Sequence, residues 1–405
     1  MKILLNIFLT CYALGVFFYP PLYNVGFYGI FILILLQFKK EKRLRNLFLK
    51  FNQEYRLWII VSIIILMAFV GCFYTVAPQK EAFIVFLRRF LTLSAILAFI
   101  PFFIQYENFM KKLILFFTLS GALYCVIATF YPLHRLRINP IPISMLVGYI
   151  VVILSAQILL RRKDLCLYIL RFIFFALFLI CFNPEKTGVV ASIASIASIA
   201  KRGLFILGII ATIFGIGIYG KSILCYRLNS CFVTLFYEIY GSIQREPSSI
   251  QRINMQKQCL HILKTSPFWG NGTASYGSVI KKHSLNWISW GYTPQATPRW
   301  FTTVHPHNDF WHWCVQFGYI GGSLYLIFMG YFIVFFIKKM SVACLPSLLG
   351  FGTLIFFGVC SQCDMMLGSS IIQSVFVLGL SICIAKIVRK EMLFPLKKHL
   401  SKSKF

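Results

Sequence analysis

The chain has 405 residues, of which 59% are hydrophobic and 43 are phenylalanine, and its formal net charge is +29. Soluble globular domains are typically about 45–50% apolar, so this composition excludes that class. It predicts an all-α polytopic membrane protein of about 12 transmembrane helices, because each crossing of the hydrocarbon core needs about 20 apolar residues.

Apolar runs of suitable length recur along the chain. We expect spans that start near Ile3, Leu22, Trp58, Ala82, Lys112, Ile141, Leu165, Thr187, Gly203, Gly318, Val342 and Ser369. The eighth run contains the small-residue repeat ASIASIASIA, which favours close approach of neighbouring helices. The predicted organisation is helices 1–9 in residues 1–220, one large polar loop in 221–317, helices 10–12 in 318–390 and a basic tail in 391–405.

The lysines and arginines predict the orientation, since cytoplasmic loops of membrane proteins carry an excess of them. If both termini are cytoplasmic, the basic cluster in 39–56, Lys111–Lys112, Lys338–Lys339 and the tail from Lys386 all lie inside. The large loop then lies outside, which is the periplasm in a Gram-negative bacterium. We therefore expect a multi-pass protein whose large loop faces away from the cytoplasm.

The predicted outer segments are also basic, against the topological rule. In the large loop, lysines and arginines outnumber acidic residues. This excess favours an anionic partner, foremost the phosphate of a lipid carrier or of an acceptor glycolipid. Attraction to the head groups of membrane lipids is the simpler alternative, and the location argues against nucleic acid.

Arg252 is the outer cation with the most specific setting. The segment from Pro247 to Gly272 predicts an amphipathic helix, with Leu260 and Leu263 among the apolar residues at helical spacing and Pro267 at its end. Arg252 lies in the first turn, where the helix dipole supports phosphate binding. The turn Gly270-Asn271-Gly272 that follows indicates close backbone approach.

Arg88 and Arg89 lie inside the predicted fourth span, about two turns from its outer edge. Charged residues at that depth are costly and usually face a polar cavity. We expect one of them to line the route of the phosphate while the other extends to the membrane surface.

A polar cluster precedes the predicted tenth span, with His305, His307, Asn308, Asp309 and His312 in the stretch from Thr302 to Gly322. The spacing is a weak match to a metal site, so we predict no metal and no cofactor. A neutral histidine at the membrane surface suits proton abstraction from a sugar hydroxyl. The residues alone leave this role and an interfacial anchor among aromatic side chains equally open.

Three short elements follow one another in order from Arg252. The first is PFWGNG, which contains Gly270 and Gly272; the second is Pro306-His307-Asn308; the third is G-x-x-G, from Gly318 to Gly321. In this order the chain resembles the O-antigen ligase and polymerase superfamily of bacterial membrane glycosyltransferases. The matching elements cover about a quarter of the chain.

The resemblance implies roles for individual residues. His307 would be the catalytic base, with His305 and Asn308 supporting it, and Arg252 would hold the pyrophosphate of an undecaprenyl-linked glycan. Lys186 stands where relatives have a second arginine, and a lysine lacks the bidentate geometry of a guanidinium. Gln316 stands where many relatives have an acid, which argues against a base–carboxylate pair at that point.

These expectations combine into an O-antigen ligase that transfers a preassembled glycan from undecaprenyl pyrophosphate to lipid A–core without a metal. Arg88 or Arg89 would add to the pyrophosphate site. A polymerase that uses the same donor is the first alternative. A transporter or flippase of an anionic lipid is the second, although it does not account for the ordered motifs.

Overall fold

The computed structural model describes residues 2–130, 140–160, 258–283, 306–340, 344–363 and 369–402, with a few single positions between them. Within these ranges the regular structure is helical and no strand occurs. The helices are α1 (Lys2–Phe18), α2 (Pro20–Lys40), α3 (Lys42–Tyr55), α4 (Leu57–Tyr74), α5 (Gln79–Val85), α6 (Leu91–Gln105), α7 (Glu107–Phe130), α8 (Pro140–Leu160), α9 (258–265), α10 (Tyr276–His283), α11 (Asp309–Lys338), α12 (Cys344–Cys363) and α13 (Ser370–Lys402).

Several of these helices are long and apolar enough to cross a membrane. By length and composition, six in the described part qualify: Pro20–Lys40, Leu57–Tyr74, Gln79–Gln105, Glu107–Ala128, Asp309–Lys338 and Ser370–Met392. Shorter apolar helices cover Ile3–Phe18, Ser144–Ser155 and Leu345–Ser361. The chain is therefore a helical membrane protein.

Each of these nine helices coincides with a predicted span. The predicted spans that begin near Leu165, Thr187 and Gly203 lie outside the described residues, so the total of twelve stays a prediction.

The structure adds one helix to the sequence prediction and moves the start of another. The prediction placed the basic cluster in 39–56 between two spans without assigning it a helix, and residues Lys42–Tyr55 form α3. Its apolar residues repeat every three or four positions, which is the helical period. The tenth span was expected to begin near Gly318, whereas α11 begins at Asp309 and kinks at Phe317 and Gly318. Because the first residues of α11 are polar, hydropathy assigned this part of the helix to the preceding loop.

α13 is the central helix of the bundle and packs against α6, α8 and α12. From Val375 to Val388 its residues are buried on all sides of the helix, except for half-buried Lys386, as expected for a core helix. Hydrogen bonds tie its first turns to α1 and α2: the Tyr12 and Ser374 hydroxyls lie 3.2 Å apart, and the Tyr23 hydroxyl donates to the Ser370 carbonyl at 2.7 Å.

Two serines of the ASIASIASIA repeat contact the bundle directly. The Ser192 hydroxyl donates to the Gly148 carbonyl of α8 at 3.0 Å, and the Ser195 hydroxyl donates to the Gly352 carbonyl of α12 at 2.7 Å. Side chains this short reach a neighbouring backbone only when the helices are close. The predicted close approach is confirmed at these two positions.

At one end of the bundle, glutamates are matched with cations and hydroxyls. Glu391 of α13 accepts from the Lys339 ammonium at 2.6 Å and from the Tyr55 hydroxyl at 2.7 Å. Glu107 forms ion pairs with Arg389 and, at 2.9 Å, with Lys111. These contacts join the ends of α3, α7, α11 and α13.

Glu41, between α2 and α3, belongs to the same end. Its carboxylate accepts from the Gln105 amide at 2.9 Å and from the Tyr106 hydroxyl. Burial is the larger cause, and the hydrogen bond to the Glu41 carboxylate the second, that raises the pKa of Tyr106 to about 12. We refer to Glu41, Glu107, Glu391 and their partners as the glutamate end. The segments predicted to be cytoplasmic meet here.

Candidate functional site

The Pro-His-Asn element forms the start of α11. Asn308 is the N-cap: its side-chain oxygen accepts from the Trp311 N–H at 3.1 Å, and its carbonyl accepts from the His312 N–H at 3.0 Å. Asparagine is favoured at this position because it satisfies an amide that the helix leaves unpaired. His307 precedes the cap, half-buried and with φ of 51°. The cap therefore fixes the backbone from which the His307 side chain extends.

The PFWGNG turn and the kink of α11 bind each other through the backbone. In an unbroken helix the Val315 and Gln316 carbonyls would accept from amides four residues later. Instead they accept from the Asn271 N–H at 3.0 Å and the Gly272 N–H at 2.8 Å. The Tyr319 N–H donates to the Pro267 carbonyl at 2.7 Å. The kink thus exchanges helical hydrogen bonds for bonds to the turn.

Glycine is required at this junction. Gly270, Gly272 and Gly318 have φ values of 67°, 86° and 64°. A Cβ at Gly318 would lie 2.2 Å from the Phe268 carbonyl oxygen, and one at Gly270 would lie 2.5 Å from the Gln316 carbonyl. The close backbone approach predicted at 270–272 is confirmed. Its partner is the G-x-x-G element, so the two glycine elements form one structural unit.

Gly321 completes this unit from inside α11. A Cβ there would lie 2.4 Å from the Cβ of Phe317 and 2.7 Å from the Trp313 carbonyl oxygen. The absence of a side chain at Gly321 therefore lets the two parts of the kinked helix pack against each other.

The other side of the turn is attached to the end of α4. The Thr273 N–H donates to the Gly71 carbonyl at 3.1 Å, and its hydroxyl donates to the Ala68 carbonyl at 2.6 Å. Thr75 in turn donates its hydroxyl to the Thr273 carbonyl at 2.7 Å. The turn is consequently held between α4 and α11.

Arg88 and Arg89 lie in a π-helical turn, Phe86–Phe90, that joins α5 to α6. Such turns are rare and occur frequently at functional sites. Arg88 is exposed, whereas Arg89 is half-buried. The Arg89 carbonyl accepts from the side chain of buried Gln373 at 2.7 Å. The turn thus presents the two guanidinium groups differently, with Arg89 directed into the protein.

The Arg89 side chain meets α11. Its Nη1 lies 3.1 Å from Nε2 of His312, and the same histidine nitrogen contacts the side-chain amide of Gln316. The side-chain Oε1 of Gln316 accepts from the Ala274 N–H at 3.1 Å, which leaves the side-chain NH₂ group to face the histidine. Arginine can only donate, so Nε2 faces two donors and acts as acceptor. The proton of the neutral ring is then on Nδ1.

Asp309 supplies a negative charge to this group. It is fully buried in the first turn of α11 and interacts electrostatically with Arg89. An acid in this position also interacts favourably with the helix dipole. We name Arg89, Asp309, His312 and Gln316 the Arg89 cluster. This cluster connects the PFWGNG turn, which we call the glycine turn, to Arg89 through Ala274 and Gln316.

A small apolar cluster lies beside the Arg89 cluster. Its buried members are Cys259, Ile262, Tyr276, Val279, Ile280 and Val315. Burial raises the pKa of the Cys259 thiol well above its ordinary value, so this cysteine is not an activated nucleophile. Leu260, expected in the apolar stripe of this helix, is 44% exposed, whereas Leu263 is buried. α9 ends just before Pro267, as predicted.

Three predicted site residues, Lys186, Arg252 and His305, lie outside the described residues. Among those that are described, the structure brings Arg89, Asn308 and the four glycines to one region around the start and kink of α11. No group of three or more histidine, cysteine or acidic residues in the described ranges is arranged to hold a metal ion.

Sequence reasoning did not assign roles to His312, Asp309 or Gln373. The available signal was spacing, since Asp309, His312 and Gln316 are three and four residues apart and share one helix face. This spacing could be interpreted only once it was known that α11 begins at Asp309. Gln373 gave no such signal, because its partner is a backbone carbonyl 284 residues away.

Comparison with known proteins gives no assignment. No protein-family model matches the chain, and no curated protein matches it. The fold and the site define a helical membrane protein with a polar cluster inside its spanning region.

Proposed function

We propose that this protein is a membrane glycosyltransferase of the O-antigen ligase type. It transfers a preassembled glycan from undecaprenyl pyrophosphate to a hydroxyl group of lipid A–core. The reaction takes place on the periplasmic face of a bacterial inner membrane, in a bundle of twelve spans with both termini in the cytoplasm.

The observation that carries the proposal is the setting of Arg89. Its half-buried guanidinium lies in a helix long enough to span a membrane, and among the described residues its side chain makes one hydrogen bond, to His312. A guanidinium has five N–H donors, so most remain for a ligand. Charges kept at such depth are usually functional.

A phosphate is the ligand that fits these donors best. The guanidinium fork matches two phosphate oxygens in a bidentate arrangement, and the contact is stronger where water is excluded. Asp309 balances part of the positive charge, which favours an arginine that stays in place when no substrate is bound. A lipid-linked pyrophosphate would approach this position from the surrounding membrane.

The mechanism assigns proton removal to His307. Its imidazole takes the proton of the acceptor hydroxyl as that oxygen attacks the anomeric carbon of the donor sugar. The bond from this carbon to the phosphate oxygen breaks, and undecaprenyl pyrophosphate leaves with the electron pair. Arg89, together with Arg252 and Lys186, stabilises the negative charge of the leaving group.

The order of the motifs supports this division of roles. Asn308 fixes the backbone beside His307, while the glycine turn reaches Arg89 through Gln316 and His312. The elements that carry the resemblance thus converge on one region. An interfacial anchor or a scattered set of surface charges would not require this convergence.

The test is transfer in vitro with purified full-length protein, undecaprenyl-linked glycan, lipid A–core and EDTA. We expect transfer by the wild type and by His261→Ala, and its loss in His307→Ala and Arg252→Ala. Undiminished transfer by His307→Ala would refute the assignment of the base, and dependence on a divalent metal would refute the metal-free mechanism.

A cellular assay distinguishes ligase from polymerase. Loss of a ligase leaves lipid A–core without any O-chain, whereas loss of a polymerase leaves core that bears a single repeat. We expect the first pattern on a gel of lipopolysaccharide. The second pattern, or donor retained in the cytoplasmic leaflet, would replace the ligase with a polymerase or a transporter.

A further inference from the structure

α3 has one face buried in the bundle and one face that projects from it. Leu44 and Phe51 are fully buried in the main core, and Phe48 packs against Phe38 of α2 with ring centroids 5.4 Å apart. The exposed face carries the cations Lys42, Arg43, Arg45 and Lys50. α3 is thus a basic amphipathic helix.

The exposed cations of α3 have no ion-pair partner within the described part of the chain. The one acid within α3, Glu54, is exposed and lies four residues after Lys50. Outside the helix, Glu41 is bonded to Gln105 and Tyr106, and Glu391 to Lys339 and Tyr55. Four exposed cations against this one acid give the exposed part of α3 a net positive charge.

The connections of α3 place it at the level of the membrane surface. It joins α2 to α4, and both of these are long and apolar enough to span a membrane. Its last residue is bonded to α11 and α13 near the ends of their apolar spans, Lys338 and Met392: the Tyr55 carbonyl accepts from the Tyr331 hydroxyl at 2.6 Å, and the Tyr55 hydroxyl donates to Glu391. A helix held in this way runs along the end of the spanning bundle.

One apolar residue lies among the cations. Leu49 is 56% exposed, four residues after Arg45 and therefore on the same side of the helix. Cations that flank an exposed leucine fit the boundary between lipid head groups and acyl chains, where the long basic side chains extend to the phosphates.

We propose that the exposed face of α3 binds the phosphates of anionic phospholipids, with Leu49 inserted between their acyl chains. The ligand class follows from charge and position. The cations offer donors to phosphate oxygens, and the attached spans keep this face at the bilayer surface, where anionic lipids are the abundant partners. The surface is separate from the Arg89 cluster and does not depend on the proposed transfer reaction.

The experiment measures lipid selectivity of the full-length protein in bilayers. Spin-labelled phosphatidylglycerol and spin-labelled phosphatidylcholine are compared by electron paramagnetic resonance, which reports the fraction of each lipid held at the protein surface. We expect the wild type to prefer phosphatidylglycerol and 0.5 M salt to reduce this preference, because screening weakens exposed electrostatic contacts.

The decisive variant is Arg43→Gln/Arg45→Gln/Lys50→Gln. Each cation near an anionic surface strengthens binding about fivefold, so we expect the loss of three cations to lower the preference at least severalfold. The matched control, Lys112→Gln/Lys338→Gln/Lys390→Gln, removes the same charge from exposed positions outside α3. It should leave most of the preference in place.

Two outcomes would overturn the proposal. One is an unchanged preference in the α3 variant, and the other is an equal fall in the control, which would assign the selectivity to net charge. If the triple variant does not fold, Arg45→Gln and the charge-conserving Arg43→Lys/Arg45→Lys take its place. The first should reduce the preference, and the second should retain it; the reverse result would also overturn the proposal.

Discussion

The glutamate end and the Arg89 cluster use polar residues in different ways. At the glutamate end, the carboxylates accept from cations, hydroxyls and amides, so charge and hydrogen bonds are matched locally. In the Arg89 cluster, the guanidinium makes its hydrogen bond to a neutral imidazole, and the single carboxylate is buried in the helix start. The first arrangement joins helices, whereas we propose that the second keeps a cation available for a ligand.

This difference predicts opposite phenotypes. Changes at the glutamate end should alter stability with little effect on the reaction, and changes around the Arg89 cluster should alter the reaction, except where they break the glycine junction.

The largest effect is expected for His307→Ala. Removal of a general base typically lowers the rate by about 10²–10⁴-fold. The measurement is single-turnover transfer, together with binding of the lipid-linked donor, which should persist. His261→Ala is the matched control and should transfer at the wild-type rate. Equal loss of donor binding and of transfer would mean that His307 holds the substrate and is not the base.

Gly318→Ala should break the junction between the two glycine elements. Its φ of 64° and ψ of −159° belong to a region that is essentially restricted to glycine, and the new Cβ would meet the Phe268 carbonyl oxygen at 2.2 Å. Strain and overpacking together predict that the free energy of unfolding falls by about 2–6 kcal/mol. Unfolding in mixed detergent micelles measures it.

Gly330→Ala is the control for this change, because it lies in the same helix and a Cβ there meets nothing within 4 Å. Its stability should match the wild type. Equal stability of the Gly318 variant would show that the junction tolerates a side chain and can open.

Arg89→Lys should weaken the donor site while charge is retained. A lysine cannot form the bidentate contact, so we expect the KM for the lipid-linked donor to rise about tenfold, the loss of about one charge-assisted hydrogen bond. The control is Arg88→Lys in the same π-helical turn, where the side chain is exposed. A tenfold rise in the Arg88 variant, with none in the Arg89 variant, would exchange their roles.

The smallest effect is expected for Glu391→Gln. The substitution removes the charge facing Lys339 but keeps an acceptor for the Tyr55 hydroxyl. Both partners are about a quarter exposed, so solvent screening limits the loss to about 1 kcal/mol of unfolding free energy. Transfer activity should be unchanged. A large fall in transfer with normal stability would contradict the contrast between the glutamate end and the Arg89 cluster.

The sequence by itself determined the class of structure and part of the candidate site. Apolar runs predicted each helix that the structure describes as apolar enough to span or nearly span a membrane. The pattern Gly-Asn-Gly predicted a close approach of backbone. The position of Arg88 and Arg89 inside an apolar run marked them as candidate functional residues. Such properties depend on local composition and spacing, which the chain carries irrespective of its fold.

Only the tertiary structure decided which residues meet. The bond from Gln373 to the Arg89 carbonyl and the bonds from the turn to Val315 and Gln316 join residues far apart in the chain, and no periodicity encodes them. The choice of Arg89 over Arg88 depends on a π-helical turn, which rotates neighbouring side chains relative to a regular helix. The partner of the glycine turn became visible only because a helix kinks there and releases its carbonyls.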